Sequence, residues 1–208
     1  GKRLSRKFES EHRKGAHRLS SVKQELWEWT KAIILGLVVV MIIRIFFFTN
    51  YAVSGESMMP ILQDQDKVIV SKIAYTLGEI DRLDVLVFHN DENEDYVKRV
   101  IGIPGDIITY ENDQLYVNEE PVDEPYLNTH PAFTNPNEDL TGDFTLESLT
   151  GNMRVPEDSY FVLGDNRRHS LDSRYFKFVK ADQVVGQVVL RYWPLPNLTI
   201  NFMTARPE

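Results

Sequence analysis

Three short segments of the chain combine residue types that could carry out chemistry. Segments 54–60, 96–106 and 164–174 each join hydroxyl, basic or acidic side chains to glycine or proline. The first contains Ser57, whose hydroxyl is a weak nucleophile until a neighbouring base removes its proton. The sequence has no G-x-S-x-G motif, which would place a serine on a sharp turn between strand and helix. A serine nucleophile would therefore need a base from elsewhere in the chain.

Lys98, in the second segment, is one candidate base. Side chains alternate along a strand, so Lys98 would share a face with Val100. If that face points into the core, burial disfavours the ammonium form, lowers the pKa of Lys98 and lets it accept a proton near neutral pH. An ordinary solvent-facing lysine fits the same pattern. The alternative bases are three histidines in polar, loop-like stretches, His89, His130 and His169.

The third segment packs five charged residues and two serines into residues 164–174. A solvated loop with Asp–Arg pairs is one interpretation of this pattern. Asp165, His169 and Asp172 could ligate a metal, but their spacing matches no strong metal motif. Metal binding by this segment is therefore the weaker alternative.

An apolar run precedes all three segments. Residues 32–48 read AIILGLVVVMIIRIFFF, apolar or glycine throughout except for Arg44. A helix of this length rises about 26 Å, close to the minimum for a bilayer core. Trp27 and Trp29 before the run and Tyr51 after it fit the aromatic belts of a membrane. A buried core helix and a cleavable signal peptide are the alternatives, and we predict an uncleaved transmembrane anchor.

Charge is distributed unevenly about this run. Residues 1–31 carry nine Lys or Arg against four Glu, whereas the whole chain has a formal net charge of −8. The positive-inside rule then predicts a cytoplasmic basic segment at 1–31 and an extracytoplasmic domain at 49–208. The acidic domain argues against nucleic acid as a partner. The chain has no cysteine, which excludes disulfides and thiolate metal sites.

The segment after the run is predicted to be mainly β. Short runs rich in β-branched residues recur, with turn signals every ten or so residues, which indicates a barrel or sandwich. Residues 119–155 are rich in Pro, Asn, Asp and Glu, and we interpret them as an insertion or long excursion that is partly mobile. The predicted strands are 67–71, 84–88, 96–101, 107–110, 114–117, 160–163 and 184–192, with a hairpin turn at 111–113.

Taken together, these features resemble the bacterial type I signal peptidases. An N-terminal anchor is followed by S-M-x-P at 57–60, K-R-x-x-G-x-P-G-D at 98–106 and G-D-N-R-x-x-S-x-D-S-R at 164–174. Residues 81–88 are similar to the family segment between the first two motifs. The resemblance implies a mainly β catalytic core with a small inserted β region at 107–155, short as in the Gram-positive members.

The resemblance also implies an activity. Such a chain would be a membrane-bound serine endopeptidase, a hydrolase that removes N-terminal signal peptides from exported preproteins during protein secretion. Ser57 would be the nucleophile and Lys98 the general base, with no metal or cofactor. The substrate would carry small apolar side chains, typically Ala, at the first and third positions before the cut, and Met58 and Ile101 are candidate pocket residues.

Four further residues receive supporting roles from the resemblance. Ser170 would hydrogen-bond to the Lys98 amine and orient it. Asp172 and Arg174 would form a structural ion pair near the site, and Asp165 would support the same loop, against Arg99. The partners implied are preproteins and the lipid bilayer, with proximity to the secretion translocon, in a single-pass cell-membrane protein whose N-terminus is cytoplasmic.

Two positions depart from the family pattern. Some members carry a serine at the position of Gly55, where its hydroxyl helps to bind the oxyanion, and the family often has glycine where this chain has Leu83. We expect the second difference to alter a turn and not the chemistry. The rival classes are a self-cleaving repressor-type protease, which has no membrane span, an organelle inner-membrane signal peptidase, and a membrane-tethered scaffold that has lost activity.

Overall fold

The computed structural model describes residues 2–73, 80–92, 94–127, 139–200 and 202, with side chains from residue 25 onward. The chain divides into two compact units, Gly1–Phe46 and Phe47–Glu208.

The first unit is a single helix, α1 (Lys2–Phe47). The stretch Glu25–Phe47 of this helix has 23 residues and is strongly apolar, and the most apolar part of it is not buried inside the protein. A helix of 23 residues rises about 35 Å, more than the roughly 30 Å of a bilayer core. This helix fits membrane anchoring. The candidate span begins before the predicted residue 32, and Phe48 belongs to the first strand and not to the helix.

In the part of the second unit that the structure describes, the strands form two antiparallel sheets. Seven strands form the large sheet, in the order β1-β2-β11-β3-β4-β9-β10, and four form the small sheet, in the order β7-β6-β5-β8. Within the described residues the strands are β1 (Phe48–Ala52), β2 (Lys67–Ser71), β3 (Val85–His89), β4 (Asp95–Gly102), β5 (Ile108–Glu111), β6 (Gln114–Val117), β7 (Glu120–Val122), β8 (Phe144–Thr145), β9 (Ser159–Leu163), β10 (Val179–Lys180) and β11 (Val184–Trp193).

The central strand β3 is covered on both faces, which explains its continuous apolar sequence. Val85 and Val87 point into one core cluster, whereas Leu86 and Phe88 point into another on the opposite face. A third cluster packs the small sheet against β4 and β9 through residues such as Phe161. The mainly β class predicted from the sequence is confirmed.

The predicted hairpin is formed by β5 and β6. Its turn residues Asn112 and Asp113 have φ angles of 53° and 59°, as a tight hairpin turn requires. The 119–155 stretch adds β7, β8 and a short helix α2 (Leu146–Thr150), which Thr145 caps at its N-terminus. Residues 128–138 of that stretch lie outside the described residues. Strands β1, β7, β8 and β10 were not predicted.

The short helix α3 (Ser173–Phe176) begins within the third segment, and Asp172 caps its N-terminus. The third segment itself begins where β9 ends, at Gly164. Strand β4, which carries the second segment, pairs with β3 and β9 on its two sides. The large sheet therefore places the second and third segments side by side.

Candidate active site

Ser57 lies in the loop that follows β1, and the third segment holds this loop in place. The backbone N–H of Asn166 donates to the Ser57 carbonyl at 3.0 Å, and Asn166 Nδ2 donates to the Glu56 carbonyl at 3.1 Å. On the other side, Gly55 N–H donates to Asp64 Oδ1 at 2.9 Å. These hydrogen bonds fix the backbone on which the Ser57 hydroxyl is carried.

The Lys98 amine meets the Ser57 hydroxyl directly. Lys98 Nζ lies 2.8 Å from Ser57 Oγ and also donates to the Val97 carbonyl at 3.1 Å. The residue is on β4, opposite Leu86 of β3, and only 3% of it is exposed. Its ammonium position is also 5.1 Å from the ring centroid of Tyr96. Strand alternation therefore does carry Lys98 into the core, as predicted.

Burial changes the acidity of this lysine. Desolvation lowers the pKa of Lys98 from its ordinary 10.5 to about 8, while the negative charges of Asp172 and Asp165 oppose a larger fall. With that pKa about a tenth of the amine is neutral at pH 7, against roughly one part in 3,000 at a pKa of 10.5. The site therefore holds an amine that can accept a proton near neutral pH.

The third segment contributes two buried carboxylates, each paired with an arginine. Asp165 accepts from Arg99 Nε at 2.8 Å and from Arg99 Nη2 at 2.7 Å, and both side chains are fully buried. Asp172 accepts from Arg174 Nε and Nη2, both at 2.9 Å, and from the Gly164 N–H at 3.1 Å. The structure thus contains both Asp–Arg contacts that the sequence predicted.

Ser170 does not make its predicted hydrogen bond to Lys98. The side chain is buried, and Ser170 Oγ has no hydrogen-bond partner among the described residues. The hydrogen bonds of Lys98 Nζ go to Ser57 Oγ and the Val97 carbonyl. Ser170 instead packs against Gly164, where an added Cβ would lie 2.1 Å from Ser170 Oγ.

Comparison with known proteins decides the family. The sequence model described as "Signal peptidase, peptidase S26" matches residues 26–193, which include all three segments. The chain belongs to the signal peptidase, peptidase S26 family. The family assignment predicted from the motifs is therefore confirmed, and with it the class of enzyme.

Relatives of known name agree with this assignment. The chain is 52% identical to signal peptidase I of Bacillus caldolyticus over 176 residues, covering 85% of this chain and 94% of that protein. It is 43% identical to signal peptidase IB of Staphylococcus aureus over 185 residues, covering 87% and 96%. A crystal structure of a signal peptidase I from Enterococcus faecalis matches with a TM-score of 0.50 and 44% identity, covering 52% of this chain and 96% of that one.

The predicted pocket residues of this signal peptidase family member do not share one open surface. Met58 and Ile101 are 1% and 0% exposed, and they belong to different core clusters. Met58 packs in the cluster that includes Val53 and Leu62, whereas Ile101 packs with Ile108 in the cluster of the small sheet. That Met58 and Ile101 line the substrate pockets stays a prediction.

Glu124 is a buried residue near the catalytic loop that the sequence analysis missed. Its carboxylate accepts from Tyr110 Oη at 2.8 Å, from Tyr126 Oη at 2.6 Å and from Arg167 Nη2 at 2.5 Å. Arg167 Nε donates in turn to the Gly164 carbonyl at 2.9 Å. The small sheet is thereby tied to the loop that holds Ser57. Glu124 lies in a proline-rich stretch without periodicity, and only Arg167, within the G-D-N-R motif, could have signalled a buried partner.

The histidines considered as alternative bases, and Leu83, which departs from the family pattern, have the following surroundings. His89 pairs with Asp95 at 2.6 Å, and His169 Nδ1 lies 3.3 Å from Asn166 Oδ1, while His130 is outside the described residues. Leu83 has a φ of 73°, in the left-handed region that favours glycine. The glycine common in the family at that position therefore has a conformational reason.

Proposed function

We propose that this chain is a membrane-anchored serine endopeptidase that removes signal peptides from preproteins, with Ser57 as nucleophile and Lys98 as general base. The observation that carries the proposal is the 2.8 Å contact between a buried amine and the Ser57 hydroxyl. Hydrogen-bond reach of this kind is the geometric requirement for a nucleophile and its base.

The first half of the reaction is acylation. Neutral Lys98 takes the Ser57 proton as Oγ attacks the carbonyl carbon of the scissile peptide bond. The new Oγ–C bond forms, the C–N bond breaks, and the Lys98 ammonium returns its proton to the leaving nitrogen. Asp172 and Asp165 assist by stabilising the transient ammonium, because each places a negative charge near it.

The second half is hydrolysis of the acyl-enzyme. Lys98, neutral again, deprotonates a water molecule that attacks the same carbonyl carbon. The C–Oγ bond then breaks, and the Lys98 ammonium returns its proton to Ser57 Oγ. The Ser57 backbone N–H is the proposed donor to the oxyanion, a contribution worth roughly 3 kcal/mol in related enzymes. Gly55 offers no hydroxyl, and its own N–H is already engaged with Asp64.

The anchor places this chemistry at the membrane. We propose a cytoplasmic N-terminus, on the evidence of the basic 1–31 segment, and an extracytoplasmic catalytic domain. The enzyme would then encounter the apolar segment of a preprotein within the lipid bilayer and close to the translocon. Sharing a bilayer with the substrate raises its effective concentration and reduces the entropic cost of docking.

The test is cleavage of a preprotein by the full chain in detergent or vesicles. Ser57→Ala and Lys98→Ala should each abolish cleavage without unfolding the domain. Lys98→Arg should do the same, because a guanidinium cannot act as a base at neutral pH. The matched control is Lys180→Ala, which removes an exposed lysine from β10. Full activity of Lys98→Ala would refute the Ser57/Lys98 pair, and failure of a serine-reactive acylating inhibitor to label Ser57 would refute the nucleophile.

A further inference from the structure

A groove opens on the face of the large sheet that carries Lys98. It has a volume of about 230 Å³, and its lining includes the aromatic and aliphatic residues Phe88, Tyr96, Leu171 and Phe176. Polar residues line it as well, and two of them, Asp91 and Glu92, are acidic. The volume is below the roughly 300–1,000 Å³ of pockets for drug-sized ligands, so the groove suits one or two side chains of a peptide.

The groove and the catalytic lysine share one neighbour, Tyr96. Tyr96 separates the two, because its ring lines the groove and also lies 5.1 Å, at its centroid, from Lys98 Nζ. Leu171 also lines the groove, and it lies in sequence between the buried residues Ser170 and Asp172. Unlike these two neighbours, Leu171 is 53% exposed.

The chemistry indicates which half of a substrate would pass this way. Once Ser57 is acylated, the proton held on Lys98 must reach the nitrogen of the leaving peptide. That nitrogen must come within about 3 Å of Lys98 Nζ. The leaving half, which is the new N-terminus of the mature protein, therefore starts beside the amine and next to Tyr96.

The distances limit which residues could enter the groove. An extended chain advances about 3.3 Å per residue. Since the Tyr96 ring centroid is 5.1 Å from Lys98 Nζ, a side chain one to three residues after the cut reaches the groove wall.

We propose that this groove binds an apolar side chain among the first three residues after the cleavage site, and that Leu171 sets the preference. The inference rests on the proposed function, since it requires acyl transfer from Ser57. It adds a binding site for the mature half of the substrate, separate from the recognition of small residues before the cut. The aromatic and aliphatic part of the lining favours an apolar side chain, and the acidic residues Asp91 and Glu92 disfavour Asp or Glu at the same position.

The experiment uses the full chain and preprotein peptides that are identical up to the cleavage site. The first three residues after it are varied one at a time among Phe, Leu, Gly and Asp. Leu171→Ala is compared with Met153→Ala, since Met153 is 66% exposed, apolar and lies outside the groove. A methyl ester of the same signal peptide serves as a second substrate, because its leaving group is methanol and cannot occupy the groove.

At one of the three positions, Phe or Leu should be cleaved with a kcat/KM about tenfold above that for Asp, a ratio typical of apolar pockets. Leu171→Ala should reduce this ratio to about twofold, whereas Met153→Ala keeps it and neither variant changes the rate on the ester. Equal rates across the panel would overturn the proposal. The proposal would also be overturned if Leu171→Ala lowered the rate on the ester as much as the rate on the peptides. The same holds if the effect of Leu171→Ala depended on the residues before the cut. Failure of the proposed function would look different, because Ser57→Ala would then still cleave both substrates.

Discussion

Gly164 is the position where one added methyl group should cost the most activity. A Cβ at residue 164 would lie 2.5 Å from the Ser57 carbonyl oxygen, 2.1 Å from Ser170 Oγ and 2.5 Å from Ser170 Cβ. The φ angle of Gly164 is not in the left-handed region, so an alanine there meets a steric and not a conformational obstacle. Gly164→Ala should therefore displace the nucleophile loop.

The expected size of the effect follows from these distances. Carbon and oxygen atoms in contact prefer a separation near 3.5 Å, so the Ser57 carbonyl must retreat by about 1 Å. A displacement of this size in a catalytic group can cost about 100-fold in rate, or about 2.7 kcal/mol of transition-state stabilisation. Overpacking also costs about 1–3 kcal/mol of folding free energy.

The assay measures kcat of Gly164→Ala for cleavage of a preprotein. The temperature is kept below the melting temperature of the variant, which is measured by thermal unfolding. Gly102→Ala is the matched control, because a Cβ there would lie 2.3 Å from Ile108 Cδ1 and 3.1 Å from Val155 Cγ2, far ends of side chains in the core under the small sheet. It should lower the melting temperature but keep kcat within about threefold. If Gly164→Ala is as active as Gly102→Ala, the reasoning is refuted.

Three other substitutions test the energetics. Lys98→Met should abolish cleavage yet raise the free energy of unfolding at pH 7 by about 3 kcal/mol, because folding lowers the pKa of Lys98 from 10.5 to about 8. Urea unfolding measures this gain. It should disappear as the pH rises from 8 to 10.5, where the lysine of the unfolded chain also loses its proton. Glu124→Gln should lower the free energy of unfolding by about 3–5 kcal/mol, because Arg167 loses its buried counter-charge; a loss below 1 kcal/mol in denaturant titration would contradict this. Leu83→Gly should leave kcat unchanged and change the melting temperature little, as relief of about 1 kcal/mol of left-handed strain offsets lost packing.

Much of the site could be predicted because its parts are local in sequence. Alternation along β4 placed Lys98 on one face with Val100, and burial of that face would lower the pKa of Lys98, although a solvent-facing lysine fitted the same pattern. The strand positions followed from β-branched runs for the same reason. The meeting of Lys98 with Ser57 could not be derived this way, since it depends on how a loop after β1 returns to β4 across the large sheet. Only the ordered motifs of the family supplied it.

The predictions that failed depend on contacts between distant segments. Ser170 was assigned to the Lys98 amine, but Ser170 Oγ has no hydrogen-bond partner among the described residues. Glu124 gave no signal, because a buried carboxylate is recognised only by its partners, which come from β5 and the third segment. Short strands such as β10 were missed because two residues show no periodicity.

The pH dependence of kcat/KM for preprotein cleavage tests the central claim most directly, because it reports the ionisation of the free enzyme. A base that must be neutral gives a rate that falls about tenfold per unit below its pKa. The profile should rise with pH to a plateau with a midpoint of about 8, and it should be unchanged in His169→Ala. A midpoint near 10.5 would mean that Lys98 stays in a water-like setting, and a midpoint near 6.5 that vanishes in His169→Ala would assign the base to histidine.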